Sequence, residues 1–224
     1  MCAQLERVQP LYEQYYALLK NRIMTNEYPP NARLIDTQLA KEFGTSRSPI
    51  REALRMLEQE GLLVNNKGIL TVYEPTLIDL VELYKVRSGL EYSAVYWATE
   101  YQTEEFIVAL DDCLKKTKEA LNEKDYETVI QLNTKYHDLI LYASKNSRLI
   151  EMMEKIRSLI LLYRNILFLD FDLDYNFIED HERVCNFIKS KDSKKSAEFM
   201  VDHINNDIAY FKKVFNKKNR SELV

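Results

Sequence analysis

The chain has 224 residues, of which 46% are apolar, so it can bury a core without help from disulfides. Its 31 basic and 35 acidic residues give a net charge of -4, which by itself does not indicate a nucleic-acid partner. The sequence has three cysteines without a CxxC pair, no apolar run approaching about 18 residues, and no apolar signal segment at its start. These features argue against a disulfide framework, a zinc ribbon and a membrane span, and we expect a cytoplasmic protein.

Glycine and proline are unevenly distributed. Eight of these nine residues lie in residues 1–75, and only Gly89 lies beyond. Turn-forming residues separate short elements, whereas long helices contain few of them. We therefore predict a compact domain at residues 1–75 and an all-helical domain at residues 76–224. The second part carries the whole net charge, because residues 1–75 hold nine basic and nine acidic residues.

The first domain has the pattern of a helix-turn-helix. A first helix ends at about Asn26, and a short second helix begins after Asp36, a good N-cap. Gly44 ends the second helix, and Ser48 and Pro49 open a third as N-cap and first helical residue. Two helices joined by a tight turn that contains glycine are typical of this motif.

The third helix, which stops at Gly61, presents Arg47, Arg51 and Arg55 on the face opposite its apolar residues. The β-prone segments that flank residues 65–68 predict a hairpin with a basic tip, which we call the wing. A basic face alone would be typical of any solvated surface helix. Together with the tight turn and the wing, in this order, it favours binding of the third helix in a DNA major groove.

Two kinds of group at the start of the third helix are predicted to contact DNA. Arg47 and Arg51 can bind phosphates or guanine edges. The hydroxyl groups of Ser46 and Ser48, with the N–H groups at the start of the third helix, can bind phosphate oxygens.

These residues resemble the winged helix-turn-helix signature of GntR-type transcription regulators over residues 10–75. The positions that carry the resemblance are Leu34, Leu39, Ala40, Phe43, Gly44, Ser46, Arg47, Ser48, Pro49, Ile50, Arg51, Glu52, Ala53, Leu54, Leu57, Glu60, Gly61 and Leu62. The resemblance implies operator contacts from Arg47, Arg51 and their hydroxyl neighbours. It also implies that Lys67 and Gly68 of the wing approach the minor groove.

The second domain is predicted to be a bundle of six antiparallel helices, so the fold class is mainly α. Its helices are expected to begin at Thr76, Thr103, Asp125, about residue 148, about residue 175 and Asp192-Ser193. The polar residues after Phe215 are expected to form a loose tail.

All three histidines of the chain lie in this bundle, each on the apolar side of its predicted helix. They are His137, His181 and His203, and Asn133 precedes His137 by one turn. A single inward histidine is usually a hydrogen-bonded core residue, but one divalent ion could satisfy all three together. The donors suit zinc or nickel first, with manganese and iron(II) as alternatives. Cys185, one turn after His181, is either a fourth donor or a small core residue.

Residues 77–215 resemble the FCD effector-binding domain of the FadR subfamily of GntR regulators. The residues that carry this resemblance are Arg87, Leu90, Glu91, Asn133, His137, His181 and His203. It implies that Asn133 and the three histidines hold a divalent ion whose coordination is completed by a small carboxylate effector. Asn133 stands where Asp is commoner, which leaves more positive charge on the ion.

Two arginines are candidates for binding the effector carboxylate. Arg87 lies on an apolar arc with Glu91 one turn later, so it is either half of a buried ion pair or a clamp for the effector. Arg164, in an apolar stretch, is the second candidate.

The sequence therefore predicts a homodimeric transcription regulator, a repressor rather than an enzyme. It is expected to bind a pseudo-palindromic operator under the control of a small organic acid. Two alternatives are a metal-free regulator that responds to acyl-CoA, and a helical metal-dependent enzyme. The enzyme lacks an identifiable general base beside the histidines, and it would leave the winged domain unexplained.

Overall fold

The computed structural model of the chain describes residues 9–169 and 177–221. The chain divides into two compact units, Met1–Pro75 and Thr76–Val224. The described residues are mainly helical with one small sheet, which confirms the fold class predicted from the sequence. In the described ranges, no helix is both long and apolar enough to cross a lipid bilayer.

The first unit contains three helices and a two-stranded antiparallel sheet. In chain order they are α1 (Leu11–Met24), α2 (Asp36–Glu42), α3 (Arg47–Gln59), β1 (Leu63–Asn66) and β2 (Ile69–Val72). The apolar stripe of α3 packs against α1 and α2 to form the core of the unit. The chain before α2 also pairs with the sheet, because Arg33 forms an antiparallel bridge with Thr71.

The starts of α2 and α3 differ from the sequence prediction. Asp36 is the first residue of α2 rather than its N-cap, and α3 begins at Arg47 rather than at Pro49, with Ser46 at the N-cap position. The side chain of Ser46 makes no capping hydrogen bond, and neither does that of Ile35, the N-cap residue of α2. The Asp36 carboxylate instead accepts a hydrogen bond from Arg47 Nη2 at 2.9 Å. Pro49 fits inside the first turn because backbone N–H groups there have no intrahelical acceptor.

The wing is a tight hairpin in which Asn66 pairs with Ile69, so its turn consists of Lys67 and Gly68. Both residues have positive φ, 54° and 88°, as a two-residue hairpin with the twist of its strands requires. The Gly68 N–H donates to Asn65 Oδ1 at 2.9 Å, which fixes the loop.

The second unit is a bundle of six helices within the described residues. They are α4 (Leu77–Glu100), α5 (Glu104–Glu123), α6 (Tyr126–Ala143), α7 (Ser147–Leu169), α8 (Phe177–Lys189) and α9 (Ser193–Ser221). Thr76, Thr103 and Asp125 cap α4, α5 and α6 by accepting a backbone N–H with their side chains, as the sequence predicts. The expected start of α8 near residue 175 lies outside the described residues.

The centre of the bundle lies between α4 and α9, which pack along each other and are flanked by α6, α7 and α8. The prediction of a loose tail after Phe215 is wrong for residues 216–221, because α9 continues to Ser221. Phe211 and Val214 are buried, and this anchor allows helical hydrogen bonding to continue into the polar residues beyond.

Candidate nucleic-acid interface and metal centre

The start of α3 presents an exposed polar surface. Ser46, Arg47, Ser48 and Arg51 are all exposed, whereas the opposite side of the helix is buried in the core. The hydroxyl of Ser46 caps no N–H group, so it is available to a ligand together with the N–H groups of the first turn.

The arginines of α3 differ in their partners. Arg47 binds Asp36 at 2.9 Å, and Arg55 binds Glu52 at 2.5 Å. Arg51 makes no ion pair with any residue in the described part of the chain. Exposed ion pairs of this kind contribute only about 0–1 kcal/mol, so Arg47 can exchange Asp36 for a phosphate at little cost.

A groove runs between α3 and the wing. Arg47, Ser48 and Arg51 line one side of it, and Gly68 lines the other. The groove also contains Arg33, which the sequence prediction missed. Its pairing with Thr71 places this guanidinium beside the wing, and no local sequence pattern signals that long-range bridge.

The three histidines come together in the core of the second unit. His137 on α6, His181 on α8 and His203 on α9 are all buried, and one potential ligand atom from each lies within 4.8 Å of the others. The Nε2 atoms of His181 and His203 are 3.1 Å apart. Three separate helices therefore bring imidazole nitrogens to a single point.

Carboxylates lie on the far side of two of these rings. Glu91 Oε2 is 2.9 Å from His137 Nδ1, and Asp180 Oδ2 is 3.6 Å from His203 Nδ1. A carboxylate at Nδ1 favours a proton there, so Nε2 is left with its lone pair. Glu91 orients the ring of His137 in the way that carboxylates orient metal-binding histidines, whereas His203 Nδ1 is beyond hydrogen-bond distance of Asp180 and has no hydrogen-bond partner among the described residues.

The remaining features of the cluster also fit a metal centre. Asn133 is buried one turn before His137, and its Oδ1 has no hydrogen-bond partner among the described residues. Burial, together with nearby positive charge, holds the pKa of His137 and of His181 well below the usual range. Neutral imidazoles and an unpaired amide oxygen are suitable ligands for a divalent ion.

Arg87 lies at the edge of the cluster and is completely buried. Its guanidinium donates to Glu91 and to Asp207, each at 3.1 Å, and Nη2 lies 3.0 Å from His137 Nε2. The buried ion pair considered in the sequence analysis is therefore present. A second carboxylate, Asp207 on α9, joins it.

A cavity of about 30 Å³ adjoins His137 and is bordered by Arg87, Arg157 and Arg164. Arg157 binds Asp138 and Glu154. Arg164 donates to Thr134 Oγ1 at 2.9 Å and has no carboxylate within 4 Å in the described part of the chain. The sequence prediction missed Arg157, although its spacing of seven residues from Arg164 places both on one side of α7.

Cys185 lies apart from the histidine cluster. Its Sγ donates to Asp111 Oδ1 of α5 at 3.7 Å, and burial raises the pKa of the thiol to about 11. The histidine group includes no sulfur atom, so the interpretation of Cys185 as a small core residue is favoured over a fourth donor.

Comparison with known proteins matches both units. Residues 11–72 match the family described as bacterial regulatory proteins of the gntR family, and residues 82–206 match the FCD domain. The HTH-type transcriptional regulator YdhC of Bacillus subtilis is 33% identical over 215 residues, which cover 95% of this chain and 96% of YdhC. The chain belongs to the GntR family. It is a DNA-binding transcription regulator with an FCD effector-binding domain.

Two further relatives support this assignment. McbR of Escherichia coli is 28% identical over 205 residues, covering 89% of this chain and 91% of McbR. Its solved structure has a TM-score of 0.77 and 26% identity, and covers 93% of this chain and all of its own. The gluconate operon transcriptional repressor of Bacillus licheniformis is 26% identical over 179 residues, covering 78% of this chain and 74% of the repressor. The families and relatives are regulators rather than enzymes, so the enzyme alternative is set aside.

Proposed function

We propose that this GntR regulator is a repressor whose operator affinity is controlled by a small carboxylate effector bound beside a divalent metal ion. The observation that carries the proposal is the position of the three buried imidazoles next to a cavity bordered by arginines. At about 30 Å³ this cavity holds only one or two waters, so an effector would have to widen it on binding. This combination offers a cation ligand set and an anion-binding surface in one place.

The metal ion is proposed to bind Asn133, His137, His181 and His203. Glu91 and Asp180 lie on the Nδ1 side of two rings, which leaves Nε2 as the metal-binding nitrogen, and Arg87 Nη2 would have to release His137 Nε2 when the ion binds. Asn133 Oδ1 has no hydrogen-bond partner among the described residues. Nitrogen donors favour zinc or nickel, with manganese or iron(II) as alternatives. When bound, the ion would supply a positive centre that attracts the carboxylate of an effector.

Arg164 is proposed as the main effector-binding arginine, with Arg87 beside it. A buried guanidinium is costly unless a carboxylate is near, and a carboxylate effector would provide one. Arg87 already binds Glu91 and Asp207, so it contributes positive potential and hydrogen bonds rather than an unpaired charge. The effector would contact the ion on one side and the guanidinium of Arg164 on the other.

Operator binding is assigned to α3 and the wing. Ser46, Ser48 and Arg47 are proposed to bind phosphates, and Arg51, which has no acidic partner in the described residues, to reach base edges or phosphates. At the wing tip, Lys67 and Gly68 are proposed to approach the adjacent minor groove, where the absence of a side chain at Gly68 permits close contact.

A homodimer is proposed, with one face of α4 as the contact between two copies. The exposed apolar residues on this face are Ile78, Val86, Tyr92 and Trp97. Gly89 lies among them, although glycine in a helix costs about 1 kcal/mol relative to alanine. A Cβ atom at Gly89 would meet nothing within 4 Å, so the single chain does not require glycine there. A second copy packed closely on the face would require it, and a twofold dimer matches a pseudo-palindromic operator.

The experiment is an operator titration with a duplex that the protein itself selects from a random-sequence library. The effector would come from a thermal-shift screen of mono-, di- and tricarboxylates. In zinc-loaded protein the effector is expected to weaken operator binding about 5- to 150-fold, and operator DNA must weaken effector binding by the same factor. Treatment with a chelator is expected to abolish this response.

Two variants separate the roles of the units. His181→Ala is expected to lose the metal and the effector response while keeping operator binding, because the proposed DNA contacts lie in the first unit. Asn186→Ala, at an exposed position on the same helix, is the matched control. An effector response that survives removal of the metal would contradict the proposal. A response of the metal-free protein to acyl-CoA would favour the alternative regulator.

A further inference from the structure

The proposed ligand set contains no negative charge. Imidazole nitrogens bind a metal ion as neutral donors, and Asn133 contributes a neutral amide. A divalent ion would therefore keep its full charge in a buried site, beside the guanidinium of Arg87. Buried charge of one sign is strongly unfavourable, so before an effector binds the site needs an anion from elsewhere in the chain.

Among the described residues, three carboxylates lie near the histidines, and two of them already have an outer role. Glu91 binds both Arg87 and His137 Nδ1, and Asp180 faces Nδ1 of His203. Both therefore lie behind the rings, away from the nitrogens that converge. Asp207 differs from them, because its Oδ2 lies 3.9 Å from His203 Nε2, on the side that faces His181.

Asp207 is placed there by the geometry of α9. It follows His203 by four residues, which puts both side chains on one face of the helix. Its side chain is only 13% exposed, and its Oδ2 also forms an ion pair with Arg87 Nη1 at 3.1 Å. The carboxylate thus lies between the guanidinium and the imidazole nitrogens, where two positive charges would meet when an ion is bound.

We propose that Asp207 is the carboxylate that balances the charge of the ion, supplying from α9 the negative charge that Asn133 does not supply from α6. This inference rests on the proposed metal site. Asp207 Oδ2 already binds Arg87 Nη1 at 3.1 Å, so Asp207 is assigned an outer role, through a hydrogen bond to a water on the ion, rather than direct ligation.

The test measures zinc affinity at pH 7 by competition with a chromogenic chelator. Asp207→Asn is expected to weaken zinc binding at least about tenfold, as loss of an outer partner does. Adding Asn133→Asp to this variant is expected to restore the affinity to within about threefold of the wild type, because the negative charge returns from the other helix. Asp202→Asn, which removes the same charge from an exposed position on α9, is the matched control and is expected to bind zinc normally.

The outcomes separate the inference from the proposed function. If the wild-type protein binds none of zinc, nickel, manganese and iron(II), both are wrong. If Asp207→Asn binds zinc as tightly as the wild type, only the inference is wrong. A loss that Asn133→Asp does not restore would mean that Asp207 acts through its ion pair with Arg87, which also overturns it. If Asp207→Asn fails to fold by circular dichroism, Asp207→Glu decides: it keeps the charge, and a tenfold loss of affinity would contradict charge balance.

Discussion

Arg164 provides a sharp test of the effector pocket, because the proposal makes it a functional residue that destabilises the folded protein. Its guanidinium is buried and has one described side-chain partner, the hydroxyl of Thr134. Replacing it by methionine removes the charge but retains an unbranched apolar side chain of similar reach. The effector-free protein should therefore become more stable, while the effector response should be lost.

The magnitude follows from the environment of the guanidinium. Burial, and then the charge of Arg87, lower the pKa of Arg164 from its usual range to about 10. At about 1.4 kcal/mol per pKa unit, keeping this group charged costs the folded state roughly 3 kcal/mol. Loss of the hydrogen bond to Thr134 offsets about 1 kcal/mol of the gain. Arg164→Met should then raise the free energy of unfolding by about 2 kcal/mol, or the melting temperature by about 4–8 °C.

The assay is thermal unfolding of chelator-treated, effector-free protein by circular dichroism and calorimetry. Arg157→Met is the control, since Arg157 lies seven residues earlier on α7 but binds Asp138 and Glu154. Its loss would leave the partly buried Asp138 carboxylate without its main partner, which should lower stability by about 1–3 kcal/mol. A lower melting temperature for Arg164→Met, or shifts of the same sign in both variants, would refute the reasoning.

Three further predictions concern operator binding and assembly. In anisotropy titrations, Arg51→Ala should weaken operator binding and reduce the salt dependence of the affinity by about one phosphate contact, with an unchanged melting temperature. Arg55→Ala, which removes a side chain paired with Glu52, should weaken operator binding less, and equal losses of affinity in the two variants would contradict the assignment. Gly68→Ala should also weaken operator binding, because its φ of 88° strains a residue with a Cβ by about 1–2 kcal/mol; unchanged affinity would exclude a wing contact. Light scattering should show that Gly89→Leu is a folded monomer, because the larger side chain blocks close packing of a second copy on α4. Val108→Asp, on the exposed side of α5, should remain dimeric, and a dimeric Gly89→Leu protein would place the interface elsewhere.

Local signals explain why the elements could be predicted from the sequence. Thr76, Thr103 and Asp125 each precede an apolar helical stripe, and each makes the capping bond that this position favours. The errors lie where a tertiary contact competes with a local preference. Asp36 has the chemistry of an N-cap, but Arg47 binds its carboxylate across the turn. The polar end of α9 has no apolar pattern, yet the buried residues before it extend the helix.

The sequence by itself determined that three helices of the second unit each direct one histidine inward, because helical periodicity assigns a side chain to the buried face. It also determined the order of helix, turn, helix and wing in the first unit. Only the tertiary structure decided which ring atoms face one another and which charged groups surround them. Arg87 meets His137 from 50 residues away and Asp207 from 120 residues away. Local periodicity fixes the face on which a residue lies but not its neighbours on other helices, since those distances depend on how the whole bundle packs. The two arginines of α7 differ for the same reason. Arg157 binds Asp138 and Glu154, whereas Arg164 has no carboxylate near it in the described residues, and this difference arises only after folding.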